Sequence, residues 1–456
     1  MQSILTTPLK KHVWNRVMLD IIQETKDAVG DEMIFILVLD DYTAKMINTF
    51  LSMTDLLNAG IFTVEKLEKV RERFPMYHGI YFISPCEESL SILCKNFEDP
   101  LKPQYGRAHL FFTQRITNRT LDKLCINETF IKRVLTLKEV NISFLIRDDN
   151  LFDLGMSTAL EIFTVKYNND LKNKIITNIL DRLFTVVASL KEKPYVQFQK
   201  SSNICEQIAQ KIYGQIGEFY EKRTFNEKRG IILILDRTVD VSAPLLHDHA
   251  YQCIIHEIMD VRDNVLHYNS KDHHFGETDH IWKKYKTRHF AEVLVEVSSE
   301  FKVFMNNDIS KVQRGSVSLD NVEKMAGVMQ NMKSYQIESN NFGTHLRMIE
   351  KLTTVNIFFN HKKDYKDLHI DKIFELEQEI VSGVNNQGEK LSPKELIDHF
   401  SKMADLKEEE KIRLLVLIHA NLSLNEKDFK TLCGGIEDYK LSAIYKLGWL
   451  GNANFE

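Results

Sequence analysis

The sequence is poor in the features that bind cofactors. Its six cysteines, Cys86, Cys94, Cys125, Cys205, Cys253 and Cys433, include no CxxC pair. That excludes a zinc ribbon and gives no support to dithiol redox chemistry. No GxxxxGK[ST] occurs, and no GxGxxG follows an apolar run. The glycines that let a backbone cradle phosphate are therefore missing. No apolar run reaches about 18 residues, so no membrane span is expected. The opening MQSILTTPLKKHVWNR lacks a signal-type apolar core. Fixed-period repeats and low-complexity linkers are absent as well. Neither sign of charge dominates: 59 Lys+Arg face 64 Asp+Glu, which does not suit a general binder of nucleic acid. These features together imply a reducing, cytoplasmic setting. Asn118, Asn127, Asn141 and Asn421 then head Asn-x-Ser/Thr sequons that carry no glycan.

What is present is an ordinary globular composition, 43% apolar and 27% charged over 456 residues, enough for two to four domains. Thr7-Pro8 reads as a helix start, followed by Val13, Val17 and Ile21 at helical spacing. MIFILVLDD (33–41) is continuously apolar and ends in acids, the pattern of a strand buried on both faces. GIYFISP (79–85), AHLFFT (108–113) and EVNISFLI (139–146) read as three further strands. Their alternation with helical stretches predicts a parallel, doubly wound α/β unit. A helical run over about 174–222 leads to a buried strand, GIILILD. Pro244 then fits a helix start with Asp248 in its first turns.

Beyond about residue 260 strand patterns almost vanish. Val322, Met325, Ala326, Met329 and Met332 share one helical face, and Leu346, Ile349, Leu352 and Val355 another. These predict two helices, at about 319–337 and 344–360. Ser392-Pro393-Lys394-Glu395 and Ser423-Leu424-Asn425-Glu426 read as capping boxes.

Two clusters carry candidate chemistry. KDHHFGETDH offers His273, His274 and His280 with Asp272, Glu277 and Asp279. Its spacing matches no metal pattern, and a solvated loop is the expectation. IILILDRTVDVSAPLLHDHAYQ (231–252) offers Asp236, Arg237, Asp240, His247, Asp248 and His249. His247 or His249 could serve as a general base, but no nucleophile elbow or partner serine accompanies them. The charged residues leaving the strand need partners, since an unpaired buried charge is costly. A loop that locks strand to helix, with Arg237 as a fork and Asp240 capping a turn, meets that need.

LDRTVDVSAPLLHDHAYQ resembles the signature of the SM (Sec-one/Munc-eighteen) family, through Asp236, Arg237, Asp240, Pro244, Leu246, His247, Tyr251 and Gln252. Asp248 replaces the usual Glu and Ala250 the usual Thr. VLDDYTAKMINTFLSMTDLLNAGIFTVEKLEKVRERFP, YFISPCEESL, YGRAHLFFT, WKKYKTRHFAEV and FGTHLRMIEKL resemble family segments in the same order over nearly the whole chain. The resemblance implies a three-domain arch without enzymatic activity: an α/β domain at 1–141, a central α/β domain at 142–258, and a mostly helical domain at 259–456. Both α/β domains are expected to be doubly wound parallel sheets. It implies no cofactor and no metal.

The implied partners are a syntaxin-type SNARE, a vesicle SNARE and the assembled SNARE complex, with no nucleic acid. The implied place is cytoplasmic, peripheral at a target membrane, most simply the plasma membrane, through those partners. Asp40, Lys45, Glu65, Lys69 and Glu72 match the family's syntaxin cleft. Glu65, Lys69 and Glu72 would form one stripe if their segment is helical. Leu121, Val134 and Glu139 match an outer pocket for a syntaxin N-terminal peptide. Met329, Met332, Tyr335 and Leu346 match the hairpin that faces the vesicle SNARE. Its bend lacks the expected proline, with Lys333 nearby. Family members continue further and add a strand to the middle sheet. The competing reading is an α/β enzyme or nucleotide-binding protein with a helical second domain.

Overall fold

The computed structural model describes residues 8–30, 33–156, 169–221, 223–225, 229–262, 265–268, 271–276, 279–312, 322–354, 370–402 and 406–446, with side chains at 271, 274, 306–334, 353–372, 443, 445 and 446 outside that description. The chain folds as two compact units, Met1–Asp236 and Arg237–Glu456. Thr7, Glu277 and Val355 lie outside the described residues.

The first unit is built on five parallel strands: β1 (Phe35–Leu39), β2 (Ile61–Lys66), β3 (Phe74–Ile83), β4 (Tyr105–Phe112) and β5 (Val134–Glu139). Their spatial order is β2-β1-β3-β4-β5, the doubly wound arrangement. All five residues of β1 are buried. Phe35, Leu37 and Leu39 enter one core cluster, and Ile36 and Val38 the other, across the sheet. Period-two alternation thus fills both layers, at about 1.5–3 kcal/mol per buried side chain.

Three readings of this unit are corrected. The segment 139–146 is not one strand. β5 ends at Glu139, Asn141 turns the chain with a φ of 54°, and β6 (Leu145–Asp148) pairs antiparallel with β7 (Leu151–Asp153). Asparagine tolerates that left-handed backbone better than most residues. The helical run over 174–222 is two helices, Asn169–Leu190 and Asn203–Tyr220, divided by β8 (Tyr195–Phe198). Pro194 and the positive φ of Lys191 end the first helix before it. The strand GIILILD, β9 (Ile231–Ile234), pairs parallel with β8, but it is not buried. Val196, Ile232 and Ile234 pack on the two helices. On the other face Tyr195 is 53% exposed, Ile231 61%, Leu233 58% and Leu235 53%.

The second unit is mostly helical. It also holds a small antiparallel sheet of β10 (Val261–Arg262), β11 (Val265–Tyr268) and β12 (Lys271–His274), which the sequence reading lacked. The stretch read as a solvated loop therefore contains a strand, and Asp279 beyond it is buried. The two helices expected at 319–337 and 344–360 are one, Val322–Thr354, of 33 residues. ESNNFG (338–343) looks like a break, yet Asn, Ser and Gly cost a helix only about 0.5–1 kcal/mol each. Buried Asn341, Phe342 and His345 hold the helix in the core and outweigh that.

Pro244 opens a short 3-10 turn, Ala243–Leu245, while the α-helix begins at Tyr251, after Asp248. That helix, Tyr251–Ile258, shares one core with Val293, Phe342 and Ile349, which places it in the second unit. Ser392 and Glu395 do form a capping box. The other box does not form, because Asn425 caps its helix by accepting from the Asp428 amide. Among the described residues, no helix is long and apolar enough to cross a membrane.

Candidate binding surfaces

In a doubly wound sheet of this order, ligands sit beyond the strand ends where β1 and β3 diverge. Here that point is closed from within. Asp40 follows β1 and is 3% exposed. One oxygen accepts from the Thr43 amide at 2.8 Å and from the Thr43 hydroxyl. The other accepts from the Ser84 amide at 2.7 Å and the Ser89 hydroxyl at 3.0 Å. The carboxylate caps helix Asp41–Asn48 and ties the end of β1 to the end of β3. Its acceptor sites are taken, so Asp40 positions the surface rather than touching a partner.

Around Asp40 the surface is charged and open. Lys45 and Lys69 are exposed. Lys66 pairs with Asp41 at 2.9 Å, and the Asp41 amide donates to Glu68. The hydrogen bond from Lys66 holds the Asp41 carboxyl below its ordinary range, with Lys45 and Lys69 adding to the effect. Lys45 and Lys69, distant in sequence, therefore act on one spot at the C-terminal ends of β1 and β2.

The acidic half of the expected stripe is not there. Glu65 lies in β2, opposite Val38 of β1, so Glu65, Lys69 and Glu72 share no helical face. β-branched Thr63 and Val64 and the pairing with β1 decide this. Glu65 accepts from the Tyr105 hydroxyl and lies 3.9 Å from Arg71, which itself donates to Tyr105 at 3.2 Å. Arg71 and Tyr105 were missed in the sequence, since only the fold brings them to Glu65. Glu72 is exposed, and its carbonyl accepts from Gln104.

At the opposite edge of the sheet from β2, Leu121 and Val134 are half-buried against one core cluster. Glu139, at the end of β5, accepts from the Ile116 amide at 2.8 Å. The three residues thus belong to adjoining elements, and Leu135 and Leu137 between them are 50% and 45% exposed.

The signature residues divide between the units. In the first, Asp236 accepts from the Ser202 hydroxyl at 2.7 Å, and its amide donates to Gln199. In the second, Asp240 accepts from the amides of Ser242 and Ala243. Arg237 is exposed and makes no ion pair among the described residues, so the expected fork does not form. Tyr251 is fully buried.

His247 is the hub. Its Nδ1 lies 2.5 Å from Glu377, and its amide donates to the same carboxylate at 2.9 Å. Arg413 reaches its Nε2 at 2.9 Å, Glu257 at 3.0 Å and the Leu245 carbonyl at 2.6 Å. Burial opposes charge on the ring, but Glu257 and Glu377 outweigh it and raise the pKa to about 9. The bond from His247 lowers Glu257 to about 2 against its own burial. Glu377 and Arg413 lie 130 and 166 residues away, so no local pattern announces them. The imidazole is buried and fully engaged, as a structural knot requires. His249 stacks on His289 and meets the edge of Phe374.

In the long helix, Tyr335 stacks on Phe304, and Leu346 packs against the core. Met329 and Met332 lie on its backbone, and their side chains fall outside the description.

The sequence model of the Sec1 family matches residues 35–454. The chain belongs to the Sec1 family. Among its curated relatives, the protein transport protein sec1 of Dictyostelium discoideum is 26% identical over 436 residues, covering 91% of this chain and 70% of the relative. The protein transport Sec1a of Arabidopsis thaliana is 24% identical, covering 88% of this chain and 60% of the relative. This Sec1-family chain thus spans about 60–70% of the length of these relatives. Among solved structures, the Unc18–syntaxin 1 complex from Monosiga brevicollis aligns with a TM-score of 0.81 at 24% identity, covering 98% of this chain and 79% of that one. The SM protein Vps45 in complex with the Qa SNARE Tlg2 aligns at 0.77 and 19%, covering 97% and 78%. The mixed α/β and helical fold is therefore that of the SM proteins.

Proposed function

We propose that this chain is a SNARE-binding regulator of vesicle docking and membrane fusion, which holds a syntaxin-type SNARE and promotes or templates SNARE assembly. The supporting observation is the family match over residues 35–454, joined to the likeness to SM proteins that were solved with syntaxin 1 and with a Qa SNARE. Exocytosis at the plasma membrane is the proposed step, and the supporting relatives carry protein transport in their names. The three-domain division expected from the resemblance, at 1–141, 142–258 and 259–456, belongs to this reading.

Lys45 and Lys69, exposed beside Asp41 and Lys66, are the proposed cleft contacts, with Glu65 and Glu72 at the margin. Leu121, Val134 and Glu139 are proposed to receive an N-terminal peptide. Met329, Met332, Tyr335 and Leu346 are proposed to meet the vesicle SNARE. The α/β enzyme reading loses its crevice, because Asp40 fills the point where a phosphate would meet a helix N-terminus.

Binding to an immobilised syntaxin-type cytosolic region tests this. The chain should bind, and Lys45→Glu with Lys69→Glu should lower affinity about tenfold, mostly through the association rate. Unchanged affinity would refute the cleft assignment, and no binding by the unmodified chain would refute the function.

A further inference from the structure

Three residues of the second unit, two of them six apart and the third 66 residues further on, converge in its core. His273 lies on β12, Asp279 is the N-cap of helix His280–Tyr285, and His345 lies within the long helix. Asp279 and His345 are 1% and 0% exposed at their side chains, and His273 is 19% exposed. The Nε2 of His273 lies 2.8 Å from Oδ2 of Asp279, and the Nε2 of His345 lies 2.9 Å from the same oxygen. Two imidazole nitrogens and a carboxylate oxygen thus meet at one point, all within 4.8 Å of one another.

We propose that His273, Asp279 and His345 bind one divalent transition metal, Zn2+ above all. Two imidazoles and a carboxylate suit Zn2+ and Co2+, and do not suit Mg2+ or Ca2+, which take oxygen. The surroundings match what holds metal ligands in place. The far nitrogen of His345, Nδ1, meets the Tyr251 hydroxyl at 2.9 Å, which fixes the ring. The Trp282 amide holds Oδ1 of Asp279 at 2.9 Å, leaving Oδ2 to face the two rings. Phe275 and Trp282, stacked at 3.9 Å, wall the site with apolar surface. The exposed edge of His273 provides an entry path and leaves the fourth position to water.

The geometry needs little change. Tetrahedral bonds of about 2.0–2.1 Å set ligand atoms about 3.3 Å apart, so each imidazole nitrogen must draw back from the carboxylate oxygen by roughly half an ångström. The protons balance. Before binding, the Nε2 proton of His345 is directed at Asp279 and Nδ1 accepts from Tyr251, and His273 likewise directs its Nε2 proton at Asp279. On binding, each ring gives up its Nε2 proton and takes one at Nδ1, which in His345 now donates to the tyrosine oxygen. Both rings change tautomer and keep their charge. Acid competes for both nitrogens, so binding weakens as pH falls. The other candidate set, His247, Glu257 and Glu410, is not a metal site, because the Arg413 guanidinium stands at the His247 nitrogen.

The site explains why β12 and the start of helix His280–Tyr285 are fastened to the middle of a 33-residue helix. Sequence spacing hid it, because His345 lies 66 residues beyond Asp279.

The test uses the full chain, dialysed against chelator and titrated with Co2+ and then Zn2+. One equivalent should bind, with Co2+ giving the visible absorption of a tetrahedral site and Zn2+ displacing it. His273→Gln, at the least buried of the three ligands, should lower affinity by at least about 100-fold while the chain stays folded. Tyr251→Phe should lower it about 10–100-fold at unchanged stoichiometry. Zn2+ should raise the melting temperature of the unmodified chain and not of His273→Gln. Less than one equivalent bound, or affinity indifferent to His273→Gln, would overturn the site and leave a hydrogen-bonded core cluster. SNARE binding is measured separately, so failure here leaves the functional reading standing.

Discussion

Single residues here hold the architecture together before they touch anything outside it. His247 shows this most sharply. Removing its ring leaves Glu377, 1% exposed at its side chain, with the residue-247 amide but without the imidazole. His247→Ala should therefore cost about 3–5 kcal/mol, read by urea unfolding at neutral pH. The pH dependence has a definite sign. The folded-state pKa of about 9 lies above the ordinary histidine value, so the stabilisation is complete below about 6.5 and fades as pH rises through 9. A stability difference between the two proteins that does not shrink from pH 7 to pH 10 would contradict this. Asp40 follows the same logic: a carboxylate read as a contact proves to be a clasp, because four donors already surround it.

At the scale of elements, the long helix Val322–Thr354 carries the sharpest prediction. It spans about 50 Å at 1.5 Å per residue. Lys333→Pro would remove one backbone donor and clash with the preceding turn, at about 3 kcal/mol or more. It should weaken capture of a vesicle-SNARE helix and leave syntaxin-type binding intact, as two separate pull-downs would show. Equal loss in both would mean that the helix does not act on its own. The elements also show where a sequence is legible. β1, β3 and β4 are continuous apolar runs, because both faces of a central parallel strand are covered. β2 was unreadable, since an edge strand with Glu65 and Lys66 looks like a charged helix. β8 hid between two helices in only four residues. The long helix was split by residues that weaken helices locally, while buried Phe342 and His345 decided otherwise. Of the residues expected in the cleft, Lys45 and Lys69 are exposed, as lysines ordinarily are. The partners of Glu65 and His247 were not readable, because they lie far away along the chain.

At the scale of the whole molecule, the outer face of β8 and β9 stands out. Parallel sheets are normally covered on both faces, yet Tyr195, Ile231, Leu233 and Leu235 are each more than half exposed. Among the described residues, β8 and β9 pair only with each other, so their outer edges offer backbone groups for pairing. The purified chain should self-associate as concentration rises, and Ile231→Lys with Leu233→Lys should shift it toward monomer, as read by sedimentation velocity. A chain that is monomeric before and after the change would show this face to be inert.

The five-stranded sheet carries a different consequence. All of its strands lie between Phe35 and Glu139. Synthesis at the ribosome delivers them before any of the second unit exists. The sheet can close while the remainder is still being translated, so the slow, long-range pairing that parallel strands demand is finished before the helical half can interfere.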